Sequence, residues 1–298
     1  MKYYLVSDFR FPKSFDDLVY LTQIVQAECM REPVEHWRRN AGRCNGALYW
    51  QFNDCWPVSS WASVDYYGNY KALQYAAKRF NAPVDVSIEN NSPEMVVHAV
   101  NESAEYVFAV FKWRVEGFDG EALAEGALGG VELRSGEAKK IAGLDFKDLL
   151  KTRGYNCVFV VVMESAGVVI SRKTALFKKE RKLELPKSGI NTAVKISDGG
   201  AELTLTSKYY ARYVRLEIDG VTAPFSDNFF DMLAGESRTV TIKIPPSWDE
   251  SALYKALNIK TVADVEPAGE PYRDFLYRLK MNLKPINLIK KIIFAIGL

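Results

Sequence analysis

Hydrophobic positions change period sharply near Pro83. Between Ser14 and Ala41, Phe15, Leu18, Val19, Thr22, Val25 and Cys29 recur at spacings of three and four, which predicts one amphipathic helix over residues 14–41. Ser14 suits the N-cap, with Asp17 three residues on as a capping-box partner. Pro33 should kink or split that helix, and Gly42 suits its C′ position. Cys44–Phe52 is short, apolar and aromatic, the pattern of a buried strand. Residues 53–68 hold Pro57, three serines and Asp65 and read as a loop, and residues 69–80 read as a second helix. Helix, buried strand, long loop and helix together are α/β texture.

From Pro83 the period becomes two. Runs beginning at 84, 95, 106, 157 and 168 are rich in valine, isoleucine and aromatics, with turn signals at 90–93 and 118–120. They predict an antiparallel sandwich. A charged link, residues 178–189, precedes a second set of strands at 201, 211 and 239, which predicts a smaller sandwich. Phe275, Leu276, Leu279 and Leu283 then suggest an amphipathic tail helix interrupted by Pro285. The expected units are 1–82, 83–180, 181–265 and a tail, 266–298.

Composition removes several function classes. The 298 residues carry 39 basic and 37 acidic side chains, a formal charge of +2, which argues against nucleic acid as the main partner. His36 and His98 are the only histidines, and the cysteines, Cys29, Cys44, Cys55 and Cys157, form no CxxC. No metal or cofactor is expected. The cysteines read as free thiols of a reducing compartment, so a cytoplasmic location is expected. The first residues lack a signal-peptide pattern, and no run of about 20 apolar residues predicts a membrane span. The tail's lysines beside isoleucine and phenylalanine would suit a membrane surface, a sandwich face or a partner; membrane contact is the least expected of these.

Residues 45–84, NGALYWQFNDCWPVSSWASVDYYGNYKALQYAAKRFNAPV, resemble the end of the catalytic barrel in β-mannosidases of glycoside hydrolase family 2. The shared features are a GxLYWQxND strand, a WPxxSW loop, a YYGxxK helix start and an AKRFxxP exit. Residues 23–44 are similar to the preceding barrel helix, and residues 209–236, with FSDNFF, to the family's last immunoglobulin-like sandwich. The resemblance spans roughly residues 1–265. It implies a mostly β chain with an α/β N-terminal part: the end of a (β/α)8 barrel followed by two immunoglobulin-like β-sandwiches. It also implies retaining hydrolysis of terminal β-D-mannosides by two carboxylates. The family's acid/base sits in an Asn-Glu pair and its nucleophile in a Ser-Glu-[Phe/Tyr]-Gly run. Neither occurs before Pro83, and Asn101-Glu102 falls in the first sandwich. A complete barrel takes about 250 residues. This chain should therefore lack both catalytic carboxylates and be inactive alone.

The expected substrate contacts are Trp50, Asn53 and Asp54, at the end of the barrel-like strand. By the resemblance, the Trp50 indole is the platform for the cleaved mannose; read from residues alone, it is barrel packing. Asn53 and Asp54 suit sugar hydroxyls or a turn equally. Tyr49 and Phe52 are expected in the core, Trp56 and Trp61 as braces for the loop, and Asp65 as a cap. Glu35 and His36 are expected on an outer helix, Arg38, Arg39 and Arg43 on a solvated face, and FSDNFF as a loop organiser. The implied partners are a β-mannoside oligosaccharide and the remaining N-terminal barrel portion, in one longer chain or as a separate subunit. Two rivals stand beside this reading. One is a stand-alone carbohydrate-binding or interaction module, for which Met1 would be a native start. The other is a different family 2 glycosidase, a β-galactosidase or β-glucuronidase.

Overall fold

The structure, a computed structural model, describes residues 2–197 and 199–268. The expected tail helix and its contacts lie outside them. The N-terminal part holds α1 (Lys2–Asp8), α2 (Phe15–Arg39) and α3 (Ala72–Phe80). Ser14 caps α2, its Oγ accepting from the Asp17 N–H at 3.1 Å. The Asp17 carboxylate instead accepts from Lys260 Nζ at 2.6 Å. Pro33 does not split α2, which is a single helix with the proline inside it. Gly42 sits one residue beyond C′, after the C-cap Asn40, with φ +92°.

The buried stripe of α2 is rotated from the expected one. Tyr20, Leu21, Ile24, Val25 and Ala27 are buried, whereas Phe15 is 75% exposed and Cys29 is also exposed. α2 carries apolar residues on two faces. Leu73, Tyr75 and Phe80 of α3, with Tyr213 and Phe229 from far along the chain, cover only one of them. The expected strand at Cys44–Phe52 is absent. Residues 45–52 are irregular, and Leu48, Trp50 and Phe52 are exposed. A strand of this kind is stable only between neighbouring strands, and the described residues supply it none.

The first sandwich packs the sheet β1-β2-β5 against β4-β3-β6-β7. Its strands are β1 (Val84–Asn91), β2 (Glu94–Asn101), β3 (Val107–Gly117), β4 (Ala122–Leu133), β5 (Glu137–Asp145), β6 (Cys157–Ser165) and β7 (Val168–Leu176), with α4 (Leu150–Arg153) before β6. Val86, Met95, Val97, Phe111, Phe159 and Val161 fill the space between the sheets. β4 and β5 have no counterpart among the expected strands.

The second sandwich holds β8 (Ile190–Ser197), β9 (Gly200–Ser207), β10 (Ala211–Ile218), β11 (Phe230–Met232), β12 (Ser237–Lys243), α5 (Glu250–Ala256) and β13 (Leu257–Lys260). Its sheets are β12-β9-β8 and β11-β10-β13 around Leu203, Leu205, Val214, Leu216 and Val240. The charged link is not a spacer. Leu183 is buried with Val158, Val160, Tyr210 and Leu233, which joins the two sandwiches.

Polar clamps hold α2 to both sandwiches. Arg38, expected in solvent, is only 9% exposed and donates to the carbonyls of Phe80 at 2.5 Å and Ala82 at 2.7 Å and to Glu102 Oε1 at 2.9 Å. Arg39 donates to Ser87 Oγ at 3.3 Å, while Arg43 stays exposed. Glu35 is buried, not on an outer face: Arg31 Nη1 lies 2.7 Å from its carboxylate and Lys173 Nζ 3.2 Å. Lys173 also lies 2.8 Å from buried Asp85, whose carboxyl is pushed up by burial. Tyr20 donates to the Tyr213 carbonyl at 2.6 Å and stacks on Phe229 at 6.1 Å.

Candidate functional site

The segment between α2 and α3 carries the expected site residues, and its local hydrogen bonds decide where each points. After the turn at Gly42, whose N–H donates to Asn45 Oδ1 at 2.7 Å, the chain runs irregularly to Asn53. Residues 51–54 then lie beside residues 63–64. Ser63 N–H donates to the Gln51 carbonyl at 3.1 Å, Val64 N–H to Phe52 at 2.8 Å, and Asp54 N–H to Val64 at 3.1 Å. Asn53 and Val64 form a parallel bridge.

Under this short pairing lies a polar scaffold. Ser63 is fully buried; Tyr49 donates to its Oγ at 3.1 Å, and that Oγ lies 2.9 Å from the Phe52 carbonyl and 2.8 Å from Gln74 Oε1. Asp54 is buried and faces the same way. It accepts from Ser60 Oγ at 2.5 Å and from Lys71 Nζ at 3.2 Å. The Ser60 hydrogen bond first, then Lys71, holds its carboxyl below the usual carboxylate range. Asp65 accepts from the N–H groups of Tyr67 at 2.9 Å and Asn69 at 2.8 Å; it closes a turn and does not cap α3, whose N-cap is Lys71. α2 fixes the segment from behind: Gln26 donates to the Trp61 carbonyl at 2.6 Å, and Gln23 accepts from the Ala72 N–H at 3.1 Å.

The aromatics point the other way. Trp50 is 71% exposed, Phe52 58%, Trp56 63% and Trp61 58%. Tyr49 is the exception, half-buried against the α2–α3 core as expected. Phe52, expected in the core, is in solvent, because the strand that would have set its alternation is not formed. Trp56 and Trp61, expected to pack against the loop or helix, lie open; only the Trp61 backbone braces it. The Trp50–Gln51 peptide bond is cis.

Of the three predicted contacts, Trp50 and Asn53 are each exposed, and Asp54 is turned inward to hold the loop. Sequence reasoning missed Ser60, Ser63, Lys71, Gln23 and Gln26 as the scaffold. The available signal was Ser60 and Ser63, set on either side of Trp61 in an apolar run where a hydroxyl needs a partner. Near the aromatics, Asp54 and Asp65 both accept local hydrogen bonds.

The FSDNFF run does organise the second sandwich. Asn228 is buried, donating to the Leu216 carbonyl and accepting from the Leu216 N–H, both at 2.8 Å. Asp227 accepts from Arg79 at 2.6 Å and Arg238 at 2.5 Å, tying α3 to that loop. The four cysteines are unpaired.

The described chain is a helical segment bearing an open aromatic surface, joined to two sandwiches of immunoglobulin-like form. The comparisons with known proteins agree. Residues 94–181 match the mannosidase Ig/CBM-like domain, and residues 185–265 match the Ig-fold domain of mannosidases, together more than half of the chain. The chain is 30% identical over 267 residues to β-mannosidase B of Thermothelomyces thermophilus, covering 80% of this chain and 31% of that protein. It is 27% identical over 268 residues to the β-mannosidase of Capra hircus, covering 85% and 30%. The crystal structure of the β-D-mannosidase from Dictyoglomus thermophilum superposes with a TM-score of 0.76 at 25% identity, over 87% of this chain and 31% of that one. An Amycolatopsis orientalis exo-chitosanase shares the fold, with a TM-score of 0.67 at 17% identity. The chain belongs to the β-mannosidase family, as its C-terminal part. It spans about 30% of the length of the curated relatives it matches.

Proposed function

We propose that this chain completes a family 2 β-mannosidase, one that releases terminal β-D-mannosides with retention of configuration. In this reading the segment after α2 is the last strand and loop of a (β/α)8 barrel. Trp50 is the sugar platform and Asn53 a hydroxyl contact, while Asp54 positions the loop through Ser60 and Lys71. The acid/base and the nucleophile belong to the remaining barrel portion, in the same longer protein or in a partner subunit. A reducing, cytoplasmic setting fits the unpaired thiols.

One observation carries the reading. Five large apolar side chains between Leu48 and Trp61 are more than half exposed, yet the backbone beneath them is held by buried hydrogen bonds. Large exposed apolar patches on an ordered scaffold mark surfaces that are covered in use. Chain alone, and chain mixed with the N-terminal two-thirds of a β-mannosidase, should be assayed on p-nitrophenyl β-D-mannoside. The expected result is no turnover alone and turnover on mixing, with Trp50→Ala reducing it by about a hundredfold or more. Turnover by the chain alone, or no effect of Trp50→Ala in an active mixture, would remove the reading.

A further inference from the structure

Trp50 has little packing to hold it in place. Its indole is 71% exposed, and residues 45–52 are irregular, so neither a core nor a strand ladder sets its direction. A binding platform works only if it is held to within about 0.5 Å of its productive position. The backbone on either side of Trp50 must supply what the side chain lacks. The hydrogen bonds that fix that backbone meet at one residue, Ser63.

Ser63 is fully buried, and its N–H, its carbonyl and its hydroxyl are all engaged. Its N–H donates at 3.1 Å to the carbonyl of Gln51, the residue after Trp50. Its Oγ accepts at 3.1 Å from the hydroxyl of Tyr49, the residue before Trp50. The same Oγ lies 2.9 Å from the Phe52 carbonyl and 2.8 Å from Gln74 Oε1 on α3. Its carbonyl accepts from the Lys71 N–H at 2.9 Å, and Lys71 is the N-cap of α3. Residues 49, 51 and 52 are thereby tied to the first turn of a helix. That helix is itself fixed, because Leu73, Tyr75 and Phe80 are buried with α2.

The second polar anchor of the loop serves a different stretch. The Asp54 side chain bonds Ser60 and Lys71 and closes the loop beyond Asn53. The residues flanking Trp50 are reached from Ser63. Removing the Ser63 hydroxyl would strand the Tyr49 hydroxyl, the Phe52 carbonyl and the Gln74 amide where water does not reach the serine. Removing the Tyr49 hydroxyl alone would leave its ring packed against the α2–α3 core. The clamp can therefore be loosened from either end. We propose that Ser63 and Tyr49 are positioning residues for Trp50, setting the plane that its indole offers to a terminal mannoside. This rests on the reading of Trp50 as a sugar platform. Neither residue touches the sugar; both act through the backbone that carries the indole.

The mixing assay on p-nitrophenyl β-D-mannoside tests this as a double-mutant cycle. Tyr49→Phe and Ser63→Ala should each lower kcat/KM about tenfold or more with Trp50 present. In a Trp50→Ala background each should lower it by less than about twofold, because the clamp then has no platform to hold. A role in general loop stability predicts equal losses in both backgrounds, and that result would overturn the proposal. So would the absence of any loss with Trp50 present. On the chain alone, Tyr49→Phe should raise amide exchange at Ser63 and Val64 about fivefold or more at an unchanged melting temperature. Unchanged exchange there also overturns it. Should Ser63→Ala melt early, Tyr49→Phe carries the comparison. Failure of the platform reading looks different: Trp50→Ala by itself then leaves turnover intact, or mixing gives none, which removes that reading and this proposal with it.

Discussion

Arg38 shows what a single side chain does here. Its fork closes the C-terminal end of α3 by bonding the Phe80 and Ala82 carbonyls, and it reaches the first sandwich through Glu102. Those carbonyls have no intrahelical donors, so removing the guanidinium leaves buried acceptors unpaired. Arg38→Ala should cost roughly 3 kcal/mol, read as a lower urea midpoint at unchanged slope, and Arg38→Lys should not recover it, because an ammonium cannot serve the fork. A loss under about 1 kcal/mol would sink the clamp. A second residue sets a pH dependence. Burial alone would raise the Glu28 carboxyl, but Arg31, 2.6 Å away, overrides it and brings the value down to about 2 from 4.5. A folded-state value below the unfolded one stabilises the fold above about pH 4.5, and the contribution is lost as pH falls towards 2. Glu28→Gln should therefore flatten the stability profile between those limits and leave the profile above them unchanged, as followed by urea unfolding at stepped pH. Neither role was legible in the sequence. Local spacing placed Arg38 on a solvated face, and its partners lie 42 to 64 residues away.

At the level of elements, legibility followed the side chains each strand uses. β1, β2, β3, β6 and β7 are built from valine, isoleucine and aromatics on a buried face, and all were predicted. β4 and β5 read ALAEGALGGVEL and EAKKIAGLD, and they were missed. Two β4 glycines are needed for close approach rather than propensity: a Cβ at Gly130 would collide with the Phe108 ring, and one at Gly126 would stand 2.7 Å from Trp113 Cζ2. Trp113 packs in turn against Phe146 and Phe159. Gly126→Ala should then destabilise the first sandwich by roughly 1–3 kcal/mol through overpacking, seen as a lower melting temperature. An unchanged or higher melting temperature would mean that the indole moves aside freely. The candidate site was legible to the same partial extent. Its aromatic run was visible at once, and Trp50 is exposed. The inward turn of Asp54 was not visible, because it depends on Ser60 and Lys71, which only the folded loop brings to it. The expected strand at 44–52 failed for a physical reason too: its apolar pattern answers to neighbouring strands that the described residues do not contain.

Across the whole molecule, the α-helical part and both sandwiches meet at one buried hub. Asp231 of β11 accepts from Thr174 of β7 at 2.6 Å, from Tyr210 at 2.7 Å, from Arg212 of β10 at 2.6 Å and from the Tyr213 N–H at 3.0 Å. Burial opposes its ionisation, but Arg212 and these donors hold its carboxyl below the usual range. Arg212 continues to Glu180 in the link at 3.1 Å, and Tyr213 enters the α2–α3 core. The hub thus spans three units that hydrophobic patterning had separated. A shared buried network of this kind couples the units' unfolding, because opening any one strands charges in the others. The intact chain should unfold in a single transition, with far-UV circular dichroism and tryptophan fluorescence coincident in urea. Asp231→Ala leaves Arg212 buried without its main partner and should cost roughly 3–5 kcal/mol. It should also separate the two probes and raise amide exchange in β9 and β12 of the second sandwich before β2 and β6 of the first. Coincident transitions in Asp231→Ala, with exchange rising evenly across both sandwiches, would show that apolar packing around Leu183 and Leu233 couples the domains without the hub.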